Sequence, residues 1–208
     1  MAKLYFRYGA MNSGKSTALL QAAFNYEERG HRVLLAKPGI DTKADGAISS
    51  RLGVSRQTDF LIGGGTDVHE LFARARGGEP VHALLVDEAQ FLETTQIDAL
   101  LEIALLEDVP VLAYGIRTDF QTVAFPGSRR LLEIAHSIEE LKTICRCGRK
   151  ALFNARIENG RFVFSGEQVV IDGTEAGYES LCGNCYLTEC GGKMPTLVRE
   201  LNETELAR

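Results

Sequence analysis

Two hydrophobic rhythms alternate along most of the chain. Lys3–Tyr8 (Lys-Leu-Tyr-Phe-Arg-Tyr) is a short aromatic run and predicts a strand. Ser16–Arg29 follows with apolar residues at Leu19, Ala22, Ala23 and Tyr26, a helical stripe closed by Gly30. Arg32–Lys37 is a second apolar run, stopped by Pro38-Gly39. The segment from Ile40 to Gly65 has loop-like composition and mixed charge, and its structure stays open. Beyond it, Val68–Arg76 reads as a short helix, Val81–Asp87 as a strand, Thr94–Glu107 as a helix and Val109–Tyr114 as a strand. Ser128–Ala135 opens a further helix. Strand and helix alternating at this spacing predict βαβ units and a mainly parallel sheet with flanking helices.

The texture changes near residue 142. Ala151–Ile157 and Arg161–Ser165 flank Asn159-Gly160, a hairpin signal because both turn residues tolerate positive φ. The reading is therefore an α/β domain over 1–141, a small β domain over 142–190 and a tail over 191–208. Composition adds exclusions. With 208 residues, 45% hydrophobic and 25% charged, the chain is long enough for one core plus an appendage and too apolar to be disordered throughout. A formal charge of -5 leaves no global attraction to nucleic acid or anionic lipid. No apolar run is long enough to span a bilayer, and Met1–Arg7 lacks the pattern of a secretory signal, so a cytoplasmic location is expected.

Candidate chemistry falls at three places. Gly9-Ala10-Met11-Asn12-Ser13-Gly14-Lys15-Ser16 fits G-x-x-x-x-G-K-[ST], between a predicted strand and a predicted helix. Such a loop turns backbone N–H groups toward phosphate oxygens, while Lys15 reaches the β- and γ-phosphates and the Ser16 hydroxyl ligates Mg²⁺. A nucleotide's phosphate chain is the implied ligand. Asp87 and Glu88 end an apolar strand, where ligands of α/β sheets collect. Asp87 suits Mg²⁺, and Glu88 is left free to act as a base. Third, Cys145-Arg-Cys147 and Cys182-Gly-Asn-Cys185 form two close thiol pairs, which in a reducing compartment read as a structural Zn²⁺ site. A redox dithiol at Cys182 and Cys185, or plain buried thiols, are the competing readings. Cys190 receives no role, and His31, His69, His82 and His136 have no partners at ligand spacing.

Taken together, Gly9–Ser16 with Met11, Asp87-Glu-Ala-Gln90-Phe91, Tyr114-Gly-Ile-Arg-Thr-Asp-Phe120-Gln, the cysteine pairs, and Gly166-Glu-Gln-Val-Val-Ile-Asp-Gly173 leading to Tyr178 resemble the type II thymidine kinase family. That resemblance implies a P-loop (RecA-like) core with a zinc-stapled β lasso. It implies transfer of the ATP γ-phosphoryl group to the 5′-hydroxyl of thymidine, in deoxynucleoside salvage. By the same resemblance Glu88 is the catalytic base, Gln90 lies with the nucleotide-binding residues, and Asp41 is an acid near the phosphates. Met11, Phe91 and Phe120 pack around thymine. Val170, Ile171, Gly173 and Tyr178 supply contacts to the base from the lasso. Thymidine and ATP are the implied partners, with a homotetramer and no nucleic acid. The alternative is a zinc-ribbon P-loop ATPase acting with nucleic acid, for which Arg146, Arg149, Lys150, Arg156 and Arg161 would supply charge.

Overall fold

The structure is a computed structural model. It describes residues 1–39, 46–166, 168 and 177–195. Two compact units emerge: Met1–Tyr8, Gly14–Arg117 and Phe125–Leu141 form the first, and Gly9–Ser13, Thr118–Ala124 and Lys142–Arg208 the second.

The first unit contains β1 (Leu4–Tyr8), α1 (Lys15–Glu27), β2 (Val33–Pro38), β3 (Ala47–Ser49), β4 (Ser55–Gln57), β5 (Phe60–Ile62), α2 (Val68–Arg76), β6 (Ala83–Val86), α3 (Thr94–Leu106), β7 (Val111–Gly115), α4 (Pro126–Ile134) and β8 (Ser137–Glu140). Its main sheet has the order β5-β2-β6-β7-β1-β8, with every neighbouring pair parallel. β2, β6 and β7 are buried along their whole length, as strands covered on both faces must be. Alternate residues divide between two cores. Leu34, Leu84, Val86 and Val111 pack on one side with α2, α3 and α4, whereas Leu35, Leu85, Leu112 and Tyr114 pack on the other with Leu19, Leu20 and Ala23 of α1.

The predicted strands and helices of this unit are present, with ends shifted by a few residues. Pro38 continues β2 and pairs with Ile62, so the strand outlasts its predicted stop by one residue. Within the segment left open, residues 46–65 hold the β3–β4 hairpin and β5, while 40–45 lie outside the described residues. The edge strand β8 was also missed. Its residues are largely exposed, so it has no apolar alternation and is strand-like only through its ladder to β1.

The second unit holds β9 (Thr143–Ile144), β10 (Lys150–Ala151), β11 (Phe153–Glu158), β12 (Arg161–Val163), β13 (Gly177–Leu181) and α5 (Gly183–Glu189). β11 lies between β12 and β13, antiparallel to both. The β11–β12 turn is built as expected, with Asn159 at φ 49° and Gly160 at φ 74°. Its core is small: Cys145, Ala151, Ala155, Leu181, Cys182 and Tyr186, flanked by Phe153, Phe162 and Phe164.

Candidate functional site

In the first unit the chemistry gathers at the carboxyl end of β6 and the start of α1. Gly14 stands before α1 at φ 79°; a Cβ there would meet nothing within 4 Å, so conformation rather than space selects glycine. Lys15 is buried, and that burial lowers its pKa against the opposing pull of Glu88 and Asp87. The Ser16 hydroxyl donates to Asp87 Oδ2 at 2.9 Å. Asp87 is buried, and its Oδ1 has no hydrogen-bond partner within the protein. Burial pushes its carboxyl up to about 7, the neighbouring Glu88 charge adds to this, and the Ser16 hydrogen bond opposes both. A hydroxyl oxygen and an unpartnered carboxylate oxygen are the hard donors that Mg²⁺ prefers, so this pair fits that cation.

Glu88 sits in the left-handed region at φ 49°, on the turn that leads into a single 3-10 turn over Ala89–Phe91. That turn is held from behind. A Cβ on Gly127, in the first turn of α4, would lie 2.4 Å from the Ala89 carbonyl oxygen. A Cβ on Gly115 would lie 2.6 Å from Gln90 Oε1. The backbone clash requires glycine at 127, while a side chain at 115 would push the Gln90 amide aside, and these close approaches set the path of the backbone carrying Glu88. The buried Gln90 accepts from Ile116 N–H at 3.2 Å and donates from Nε2 to the Glu88 carboxylate. Gln90, expected among the nucleotide-binding residues, is thus bound to the candidate base. Phe91 is half-buried and packs edge-on against Phe125 at 5.4 Å.

In the second unit, Met11 N–H donates to Asn154 Oδ1 at 2.7 Å, and the Met11 carbonyl accepts from the Ser180 hydroxyl. Asn12 is left-handed at φ 64°. Ser13 N–H turns back to the Ala10 carbonyl at 3.2 Å. Phe120 is 1% exposed; the Arg156 guanidinium lies 5.1 Å over its ring and the Tyr186 hydroxyl donates to its carbonyl at 2.6 Å. The loop carrying Phe120 is tied by Asp119, whose Oδ1 accepts from the N–H groups of Gln121 and Val123, each at 2.8 Å. Tyr178 is half-buried on β13, opposite Arg156. Asp41, Val170, Ile171 and Gly173 lie outside the described residues.

The four thiols named from spacing converge: the Sγ atoms of Cys145, Cys147, Cys182 and Cys185 all lie within 4.8 Å of one another. Tetrahedral zinc–thiolate bonds place sulfurs about 3.8 Å apart, so the set matches in chemistry and in size. Gly148, at φ 81°, closes the tight turn that the C-x-C pair needs, with its N–H on the Cys145 carbonyl at 2.8 Å. Burial pushes the Cys145 thiol up, but hydrogen bonds from the Cys147 and Cys182 backbones outweigh it and bring the group to about 6. Hydrogen bonding among the sulfurs pushes Cys185 the other way, up to about 12. Thiolates this close repel one another, and a dication stabilises the fully ionised set. Cys190 stands apart, donating to the Tyr186 carbonyl at 2.8 Å.

Asn154 and Arg156 were not read as parts of the kinase site, the latter entering only as charge for the alternative, and Ser180 was not singled out at all. One signal was available for the first two: they stand two apart between apolar residues of one strand, hence on one face of it. The cationic face of the alternative reading is partly consumed. Arg146 is paired with Glu179 and Glu189, and the buried Arg156 with Glu158.

The family model described as thymidine kinase matches residues 2–186. A thymidine kinase of Yersinia pseudotuberculosis is 48% identical over 188 residues, covering 89% of this chain and 95% of that protein. One from Legionella pneumophila (strain Paris) is 48% identical over 196 residues, 93% of each chain. Another, from Rhodopirellula baltica, is 46% identical over 184 residues, covering 88% of this chain and 86% of its own. Among solved structures, a Pif1 helicase from Candida albicans is similar at TM-score 0.42 and 17% identity. The match covers 70% of this chain and 37% of the helicase, a likeness too distant to bear on activity.

Proposed function

The chain belongs to the thymidine kinase family, and on that premise we propose that it transfers the γ-phosphoryl group of ATP to the 5′-hydroxyl of thymidine. The observation that carries the chemistry is the grouping of Lys15, Ser16, Asp87 and Glu88 in one unit, with Ser16 bonded to Asp87 and Glu88 next in line. Phosphoryl transfer needs positioning and charge neutralisation more than covalent catalysis. Lys15 supplies a buried cation for the phosphates. Ser16 and Asp87 would hold Mg²⁺, which neutralises charge on the phosphate oxygens when bound. Glu88 accepts the proton of the 5′-hydroxyl as that oxygen bonds to the γ-phosphorus and the bond to the ADP oxygen breaks. Gln90 holds the Glu88 carboxylate toward that task through the amide it donates.

Met11, Phe91 and Phe120 are proposed to pack on the thymine ring, with Val170, Ile171, Gly173 and Tyr178 contributing from the lasso. Cys145, Cys147, Cys182 and Cys185 would hold zinc with its tetrahedral shell full, so the metal staples the fold and offers no open position for catalysis. We further propose the functional division 1–141, 142–190 and 191–208, a homotetrameric assembly, no nucleic-acid partner and a cytoplasmic location, where the five free cysteines stay reduced.

Incubation with ATP, Mg²⁺ and thymidine is expected to yield thymidine monophosphate and ADP in equal amounts. Absence of thymidine-dependent ADP formation would overturn the reading, and phosphate release stimulated by DNA or RNA would favour the ATPase. Glu88→Gln is expected to retain ATP binding and lose transfer by roughly 10²–10⁴-fold, the range of general-base contributions.

A further inference from the structure

The backbone of Met11, inside the phosphate loop, is held at both its polar ends by two side chains of the second unit. Asn154 Oδ1 takes its N–H at 2.7 Å, and the Ser180 hydroxyl donates to its carbonyl. These two residues are no arbitrary pair. They stand directly opposite each other in the β11–β13 ladder, and both are buried, at 3% and 7% exposure. Asn154 is itself fixed, because its Nδ2 donates to the Thr118 carbonyl at 3.2 Å. The next carbonyl of the loop, that of Asn12, accepts from the Thr143 hydroxyl at 3.4 Å.

The stereochemical consequence follows from the planar trans peptide. The carbonyl of Met11 and the N–H of Asn12 belong to one plane and point in opposite directions. With the carbonyl drawn to Ser180, the Asn12 N–H is turned away from the β11–β13 sheet. A phosphate loop works by presenting N–H groups to anionic oxygens, so the facing of this peptide decides whether Asn12 can serve. Asn12 also sits at φ 64°, a conformation that costs free energy in a residue with a side chain and needs its surroundings to impose it. Met11 N–H and Ser13 N–H are meanwhile bonded within the protein, which narrows the loop's donors toward phosphate.

We infer that Asn154 and Ser180 are positioning residues for the nucleotide: a cross-strand clamp that sets the Met11–Asn12 peptide so that the Asn12 N–H faces the phosphates. Two residues after Ser180 comes Cys182, a member of the thiol cluster, so the strand that carries the clamp is anchored at the proposed zinc site. Affinity for nucleotide then depends on a sheet far along the chain from the glycine-rich motif.

The inference rests on the kinase reading and is tested apart from it, by calorimetric titration with ADP and no thymidine present. Ser180→Ala is expected to weaken ADP binding about tenfold, equivalent to ~1.4 kcal/mol and the upper range for one hydrogen bond. Zinc content should stay at one per chain, and Ser180→Thr, which keeps the hydroxyl, should bind within about twofold of wild type. Asn154→Ala should weaken binding comparably. The double variant should lose less than the product of the two, since both act through one residue. A zinc-replete Ser180→Ala that binds ADP like wild type overturns the clamp. So does loss of zinc from both alanine variants, which would make their role structural. A wild-type chain that binds ADP yet leaves thymidine untouched fails the kinase reading and leaves the clamp to stand or fall on the same titrations.

Discussion

The two units solve the problem of stability by different means. Among the described residues, the first buries twenty apolar side chains on one face of its sheet and ten on the other, while the second gathers six, two of which are cysteines. A two-faced parallel sheet can be held by burial alone, at about 25 cal/mol per Å² of apolar surface removed from water. A core of six residues falls well short of what a domain needs, and modules of that size depend on a staple. Placement of polar groups follows the same division. The first unit keeps its reactive groups on short turns at strand ends, backed by Gly115 and Gly127. The second puts Asn154, Arg156 and Ser180 inside its sheet, where every strand contact counts twice, for folding and for the loop it holds.

That contrast can be broken most forcefully at the proposed zinc site. Stripping zinc with a chelator, or replacing Cys182 by serine, should unfold the second unit, since structural zinc is worth ~10–16 kcal/mol in small metal modules. Hydrogen exchange read by peptide should rise in the strands β9 to β13 and in α5 while β2, β6 and β7 keep their protection. Equal loss in both units would erase the distinction. A smaller effect is expected from Leu84→Ala, fully buried on β6, which should cost ~2–5 kcal/mol in denaturant unfolding and leave zinc content at one per chain. Zinc loss in that variant would show that the units do not stand apart energetically. The smallest effect belongs to the β11–β12 turn. Gly160→Ala places a Cβ at φ 74° where no atom lies within 4 Å, so only backbone strain is added, ~1 kcal/mol. It should appear as weaker zinc retention under chelator competition, with no change in the exchange of the first unit.

The sequence carried the large unit well because burial on two faces writes itself as apolar runs. β1, β2, β6 and β7 each showed one, and the glycine-lysine motif fell between a strand and a helix. The Asn159-Gly160 turn was equally readable, since its backbone angles demand those residue types. Elements whose regularity comes from a neighbour were invisible. β8 is polar and exposed yet strand-like because β1 offers it a ladder, and β5 is only three residues at the opposite edge. α5 was hidden for another reason: it is a helix of seven residues, too short to display a periodic stripe. At the candidate site, residue types were legible and partners were not. Glu88 could be named as an acid at a strand end, but its tie to Gln90 depends on a left-handed turn. The opposition of Asn154 and Ser180 is a matter of strand register across a long sequence separation, which local pattern does not encode.

The position of β1 in the sheet bears on how the protein is born. Leu4–Tyr8 is synthesised before every other strand of its sheet, yet among the described residues its ladder partners are Val111–Gly115 and Ser137–Glu140. At ribosomal speeds the N-terminal strand waits on the order of ten seconds for β7, while β2 can already dock against β5 and β6. Met11 waits longer still, for Asn154 and then Ser180. The glycine-rich loop leaves the ribosome well before the strands that fix its shape, its partners lying 143 and 169 residues further on. If the proposed clamp holds, a nascent chain gains its grip on nucleotide only after β13 has been made.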